Sequence, residues 1–376
     1  MNSGKLNLYR GNWTPVKISV VSFVAALLFT FAVGASDMYH GGVGSDYLPY
    51  YKNISWSISM IIIFPAVLGL SLYYYQKAPA VLEYMYNTLA ESQDSEVFDR
   101  LSLRIDRMVN HRLLPIAVLL GAIILNVVYF VPYLNDPGHV DNWMLHKEQW
   151  SIFSSYFAFN NQFTFFGLIG ALIQIFLVYW ILMFIIKNIL FIRGLYEFFR
   201  SDELKIELNP LHPDGVNGLR ALMELATLQA TLILFLGLYA SLKVIDKIYQ
   251  QHGAALEIGN LLVLFSYVIF APLLFFLILG SAHQKMREAK EEFLGVISDA
   301  ISVLIASTSD VTSESKENFN ENASKLKFLQ DQYALYSQRI SVWPFNWRSM
   351  QGFFGAVIAP VIPPITAAVS YLSGKL

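Results

Sequence analysis

The sequence predicts an all-α, seven-span transmembrane helical protein with a cytoplasmic helical layer, and three observations predict it. Of 376 residues, 55% are hydrophobic, 15% aromatic and only 14% charged, a balance that belongs to membrane chains and not to a cytosolic enzyme. Seven charge-free runs of roughly 20 residues are each long enough to cross a hydrocarbon core of about 30 Å as helices that satisfy their own backbone. The basic residues are then distributed unevenly. Of the 26 Lys and Arg, 21 lie in the N-terminus and the alternate segments 76–112, 187–224 and 281–349, which places the N-terminus inside and the C-terminus outside.

The totals also exclude whole classes of function. A net charge of −2 with no basic run gives no phosphate-neutralising stripe, so nucleic acid is excluded as the main partner. The absence of cysteine removes disulfides, thiolate zinc sites and thiol nucleophiles. No cofactor motif is present, and the expected partner is the lipid bilayer.

The first span, Ile18 to Ala35, follows Lys5, Arg10 and Lys17. Its apolar core is longer than the 7 to 15 residues of a signal peptide, so it reads as a retained anchor. Residues 36–56 form a Gly-rich outer turn (Gly41, Gly42, Gly44); Asn53-Ile54-Ser55 there is a glycosylation triplet that carries no meaning in a bacterium. After the second span, Ser57 to Tyr75, Pro79 marks a helix start on the inside. Val97, Leu101, Ile105 and Met108 then recur at helical spacing opposite Arg100, Arg104 and Arg107, forming an amphipathic helix that feeds the third span, Leu113 to Tyr133. The outer segment 134–162 is aromatic (Trp143, Trp150, Phe153, Tyr156, Phe157, Phe159) and reads as an interfacial belt or a ligand-binding cap. His139 and Asp141 within it are too few to hold a metal.

The fourth span, Phe163 to Ile186, continues as helix through Phe191, Leu195, Phe198 and Phe199 to Arg200, well beyond the bilayer. Glu203 to Leu208 alternates like a short strand. Two prolines and two glycines between Asn209 and Leu219 then fix a turn-rich loop before the fifth span, Leu225 to Leu242. His212 and Asp214 in this loop, with Asn217 as a third polar group, are candidates for binding a ligand or cation or for proton transfer. The alternative is structural: proline fixes the backbone, Asp214 caps the turn and the glycines allow left-handed geometry.

The sixth span, Asn260 to Gly280, leads into a polar hairpin. Met286, Phe293, Ile297, Ala300 and Leu304 make one apolar seam, and Leu326, Leu329, Tyr333, Tyr336 and Ile340 make the other, joined by the Ser/Thr-rich bend Ser307 to Ser315. The seams pack on each other or meet neighbouring subunits, and residues 283–340 offer a surface for a cytoplasmic protein partner. The chain thus divides into a membrane part (1–280), a cytoplasmic helical hairpin (281–349), and a seventh span with an outside C-terminus (350–376).

That last span, Met350 to Leu372, carries small residues at Gly352, Gly355, Ala356 and Ala359, then Pro360, Pro363 and Pro364. Small residues four apart permit close helix contact, while prolines withhold backbone donors and free carbonyls. Freed carbonyls inside a membrane need protein or water, so the expectation is a helix within an assembly, lining a conduit gated by the hairpin; the alternative is a kinked, fully packed helix. Gly352, Gly355, Pro360, Pro363 and Pro364 are the candidate pore or gate residues. No charge sits near mid-bilayer, which argues against a proton-coupled pump, and no His-Glu-x-x-His, paired-Asp or Gly-x-Ser-x-Gly motif marks an intramembrane hydrolase.

The string at 211–219 and Trp343-Pro344-Phe345-Asn346 resemble features of uncharacterised bacterial polytopic membrane proteins, in which a His-Pro-Asp turn precedes one span and a Trp-Pro-Phe string precedes the last. The resemblance implies a bacterial inner-membrane location and no activity. The layout of seven spans, inside N-terminus, extended cytoplasmic helices and divided last helix is similar to insect chemoreceptor channels. That similarity implies a homo-oligomeric ion channel built around the last helix. A membrane-anchored sensor or scaffold acting through the hairpin is the alternative, followed by an enzyme or transporter that uses the His212 turn.

Overall fold

The computed structural model describes residues 13–39, 57–90, 95–135, 145–146, 162–163, 165–204, 206–250, 258–309, 316–345 and 347–373. In chain order the helices are α1 (Pro15–Tyr39), α2 (Phe64–Leu89), α3 (Ser95–Val109), α4 (Leu114–Asn135), α5 (Phe165–Phe199), α6 (Arg220–Gln250), α7 (Ile258–Ser309), α8 (Lys316–Arg339), α9 (Trp347–Ile358) and α10 (Ile362–Leu372). A π-helical turn, Ser59–Ile63, opens α2. Leu145–His146 and Gln162–Phe163 pair as a minimal antiparallel ladder. The aromatic outer residues Trp143, Trp150, Phe153, Tyr156, Phe157 and Phe159, the pair His139 and Asp141, and the Asn53 triplet lie outside the described residues.

Seven helical segments among the described residues are long and apolar enough to cross a membrane, which fits a multi-pass integral membrane protein. The centre of the bundle is α6, against which α2, α7, α9 and α10 all pack. Around it α1 lies on α2, α4 on α5, and α5 on α7. Buried polar groups fasten these contacts where no water competes. The Tyr74 hydroxyl donates to Asn188 Oδ1 at 2.7 Å, Trp180 Nε1 to Ser71 Oγ at 2.7 Å, and Gln229 Nε2 to the Leu274 carbonyl at 3.2 Å.

The segments richest in Lys and Arg meet at one end of the bundle. Arg100 of α3 pairs with Glu203 at 3.2 Å, Arg104 with Glu197 of α5 at 3.7 Å, and Ile206 bridges Ala90 as an antiparallel residue pair. The alternation at Glu203 to Leu208 therefore yields one bridge instead of a strand. Pro79 does not start a helix either. It lies inside α2, which runs unbroken because Ala78, Val81, Leu82, Met85, Tyr86 and Leu89 are all buried; that apolar face outweighs one missing donor. Two other helices run long. At 1.5 Å per residue the 35 residues of α5 and the 52 of α7 extend about 52 Å and about 78 Å, so both project beyond a bilayer core. α8 folds back on α7 with the Phe293 and Tyr336 rings edge to face at 5.4 Å, so the seams meet there, while Ala300 and Tyr333, also expected in the seams, are exposed.

Candidate functional site

The last span is two helices. Proline cannot donate to the carbonyl four residues back, so Pro360 leaves Ala356 without its helical partner, and the chain breaks over Ala359–Val361. The Tyr267 hydroxyl of α7 donates to that Ala356 carbonyl at 2.9 Å. Tyr267 reaches it across α6 at Gly237, where any Cβ would collide with the phenol ring. Three helices thus meet at one freed carbonyl: α6 contributes space, α7 a donor and α9 the acceptor. Pro363 and Pro364 act differently. They occupy the first turn of α10, where the backbone donors have no helical acceptor in any case, so they start a helix and do not kink one.

One face of this span is covered and the other is open. Phe353, Ala356, Val357, Pro360 and Pro364 are buried, whereas Gly352, Gly355, Ala359 and Pro363 are exposed together with Phe354, Ile358, Ile362 and Ile365. The expected pore residues therefore fall on both sides: Gly352, Gly355 and Pro363 face outward from the single chain, and Pro360 and Pro364 face α6.

An aromatic hub joins this span to the hairpin. Phe353 stacks on Phe275 of α7 with centroids 3.8 Å apart, and Phe345 leans on both Phe275 and Trp343. Trp343 stacks on the His283 ring at 3.8 Å, and His283 Nδ1 lies 2.6 Å from the Val342 carbonyl, an arrangement that calls for a proton on Nδ1. Two turns further along α7, the Lys290 ammonium donates to the carbonyls of Ser337 at 2.6 Å and Ile340 at 3.1 Å, at the C-terminal end of α8 and just past it. The Trp-Pro-Phe string is consequently packed between the base of the hairpin and the start of the last span.

The 209–219 loop is built on side chain to backbone bonds. Asp214 Oδ1 accepts from the Val216 N–H at 2.9 Å and the Gly218 N–H at 3.1 Å, and lies 2.9 Å from His212 Nδ1. The Asn209 Oδ1 accepts from the Leu211 N–H at 2.9 Å. Gly215, Asn217 and Gly218 have φ of 71°, 57° and 86°, the left-handed region, so the glycines are conformationally required. A Cβ at Gly218 would also come within 2.8 Å of Leu89 Cδ2 and push that side chain aside. His212 and Asp214 are brought together, while Asn217 is buried in the same turn with its amide nitrogen unpartnered. Among the described residues no third His, Asp or Glu joins them as a metal set.

Burial alone pushes the Asp214 carboxyl up, but the bonds from Val216, Gly218 and His212 outweigh it and hold its pKa below the ordinary carboxylate value. A depressed folded-state pKa contributes stability above the unfolded value, and that contribution disappears as pH falls through the folded one. Asp214→Ala should therefore lower the thermal midpoint at pH 7, and the gap to the parent should stay constant above about pH 5 and close progressively below about pH 4. Thermal unfolding of both proteins across that range checks this.

Tyr267, Gly237, His283, Lys290 and Phe353 are not marked by any motif; only the carbonyl four residues before Pro360 signals that a donor must come from elsewhere. No family model matches the chain, and neither a curated protein nor a solved structure does.

Proposed function

We propose that the chain is a gated ion channel of the plasma membrane, the inner membrane of a bacterium, assembled from several copies with the last span of each lining the path. The observation that carries this reading is the open face of α9 and α10. Gly352 and Gly355 expose backbone there, and small residues on a bare helix face favour close helix contact in a bilayer. The break at Pro360 lies beside that face and supplies a bend about which the two halves of the span reorient. The hairpin is the lever, acting through Trp343. The Lys and Arg distribution supports an inside N-terminus and an outside C-terminus, which puts the hairpin in the cytoplasm.

The mass of the protein in lipid nanodiscs, followed by ion flux in liposomes, tests this. A closed ring of three or more copies with flux supports it; a monomer removes the axial path.

A second reading, a membrane-anchored scaffold or sensor, is favoured by one observation on the hairpin. Val296 and Val303 of α7 and Phe328 of α8 are 68%, 70% and 61% exposed, apolar surface of the kind that recruits protein partners. A scaffold of this kind would show no flux at any stoichiometry.

A further inference from the structure

Between the end of α5 and the middle of α7 lies a polar recess of about 220 Å³. It sits where the apolar run of α7 stops at Ala282, beside the end of α5 that projects past the bilayer core, and so on the headgroup side of the hydrocarbon boundary. Tyr196 stands at its rim, as interfacial aromatics do.

The charges in the recess are of both signs. Lys285 pairs with Glu288 at 3.1 Å, and Glu288 also accepts from Gln284 Nε2 at 3.0 Å, so these three answer one another. Arg200 lies over the Tyr196 ring at 4.7 Å, and neither it nor Asp202 makes an ion pair among the described residues. The Ser281 hydroxyl is buried in the lining with no hydrogen-bond partner. One cation, one carboxylate and one hydroxyl are therefore open. A simple anion entering here meets Asp202 and Glu288, and a simple cation meets Arg200 and Lys285. A ligand carrying both charges meets neither penalty.

We propose that this recess binds a phosphoryl group joined to a primary ammonium, the chemistry of an ethanolamine phosphoglyceride headgroup. The guanidinium of Arg200 and the hydroxyl of Ser281 donate to phosphoryl oxygens, for which a planar fork of N–H groups is well shaped. The ammonium donates to Asp202. A quaternary ammonium has no N–H to donate, so choline lipids are discriminated against, and a glycerol headgroup brings no cation. The site stands on the single chain and does not depend on the channel reading.

The test is native mass spectrometry of the full chain, extracted from nanodiscs that contain equal parts of ethanolamine, choline and glycerol phosphoglycerides. The parent should retain the ethanolamine lipid about tenfold over the others, a difference of about 1.4 kcal/mol, and Arg200→Gln and Asp202→Asn should each bring retention close to even. Both side chains are at the surface; Ser281→Ala, which keeps α7 helical, gives a third variant with the same expectation. Calorimetry with soluble O-phosphoethanolamine, on protein in choline-lipid nanodiscs, separates the sources. Binding there without a lipid preference assigns the site to a free zwitterion. Even lipid retention with no soluble binding overturns the proposal, as does a preference that survives all three substitutions.

Discussion

Gly237→Ala should lower stability by about 2–6 kcal/mol, because its Cβ enters the Tyr267 ring and the hydroxyl leaves Ala356. Overpacking a filled contact costs about 1–3 kcal/mol, and orphaning a buried carbonyl about as much again. The two terms separate in a double-mutant cycle. Tyr267→Phe alone removes the donor without adding bulk and should cost about 1–3 kcal/mol. Pro360→Ala restores a backbone N–H opposite the Ala356 carbonyl, so in that background Tyr267→Phe should be nearly neutral. The resulting coupling of about 1–3 kcal/mol is read from equilibrium unfolding of the four proteins in mixed micelles. Additive effects would show that the Tyr267 hydroxyl does not compensate for the proline.

Lys290→Met should release the far arm of the hairpin by about 3 kcal/mol. Hydrogen bonds from a charged donor are worth about 1.5–3 kcal/mol each, and the substitution strips the Ser337 and Ile340 carbonyls of their partner while keeping the bulk of the stem. Hydrogen exchange across 316–340 should accelerate by about a hundredfold, with α2, α5 and α6 unchanged. Acceleration spread equally over the membrane helices would mean that Lys290 holds the bundle as a whole and not the hairpin.

Much of the fold follows from residue spacing. The apolar stripe Val97, Leu101, Ile105, Met108 forms α3 as its period requires, and the apolar continuation from Phe191 to Phe199 extends α5. The bend in the last span follows from Pro360, whose missing donor is a covalent fact that tertiary packing cannot restore. Pro79 carries the same local signal, yet α2 passes through it, because the buried face from Ala78 to Leu89 is a property of neighbours distant in sequence. The His212 turn was legible as a turn from its Pro and Gly content. Asp214 as the cap of that turn and the left-handed glycines were legible too; that the capped groups are the Val216 and Gly218 N–H was not, since it depends on the φ of three residues at once. The contacts that tie the sixth span to the last one and close the base of the hairpin were illegible for a simpler reason. Tyr267 and Ala356 are 89 residues apart, and His283 and Val342 are 59 apart, and nothing in either local sequence names its partner.

The claim that the open face of the last span meets other copies around an axis has a direct test, because the chain contains no cysteine and each introduced thiol is the only one present. Cysteine placed singly at Gly352, Gly355, Ala356 and Val357 in proteoliposomes is treated with a short bis-maleimide and resolved by size under denaturing conditions. The account predicts covalent dimers from Gly352→Cys and Gly355→Cys, and monomers from Ala356→Cys and Val357→Cys, whose side chains face into the bundle. Monomers at all four positions, or equal cross-linking from both faces, would contradict it.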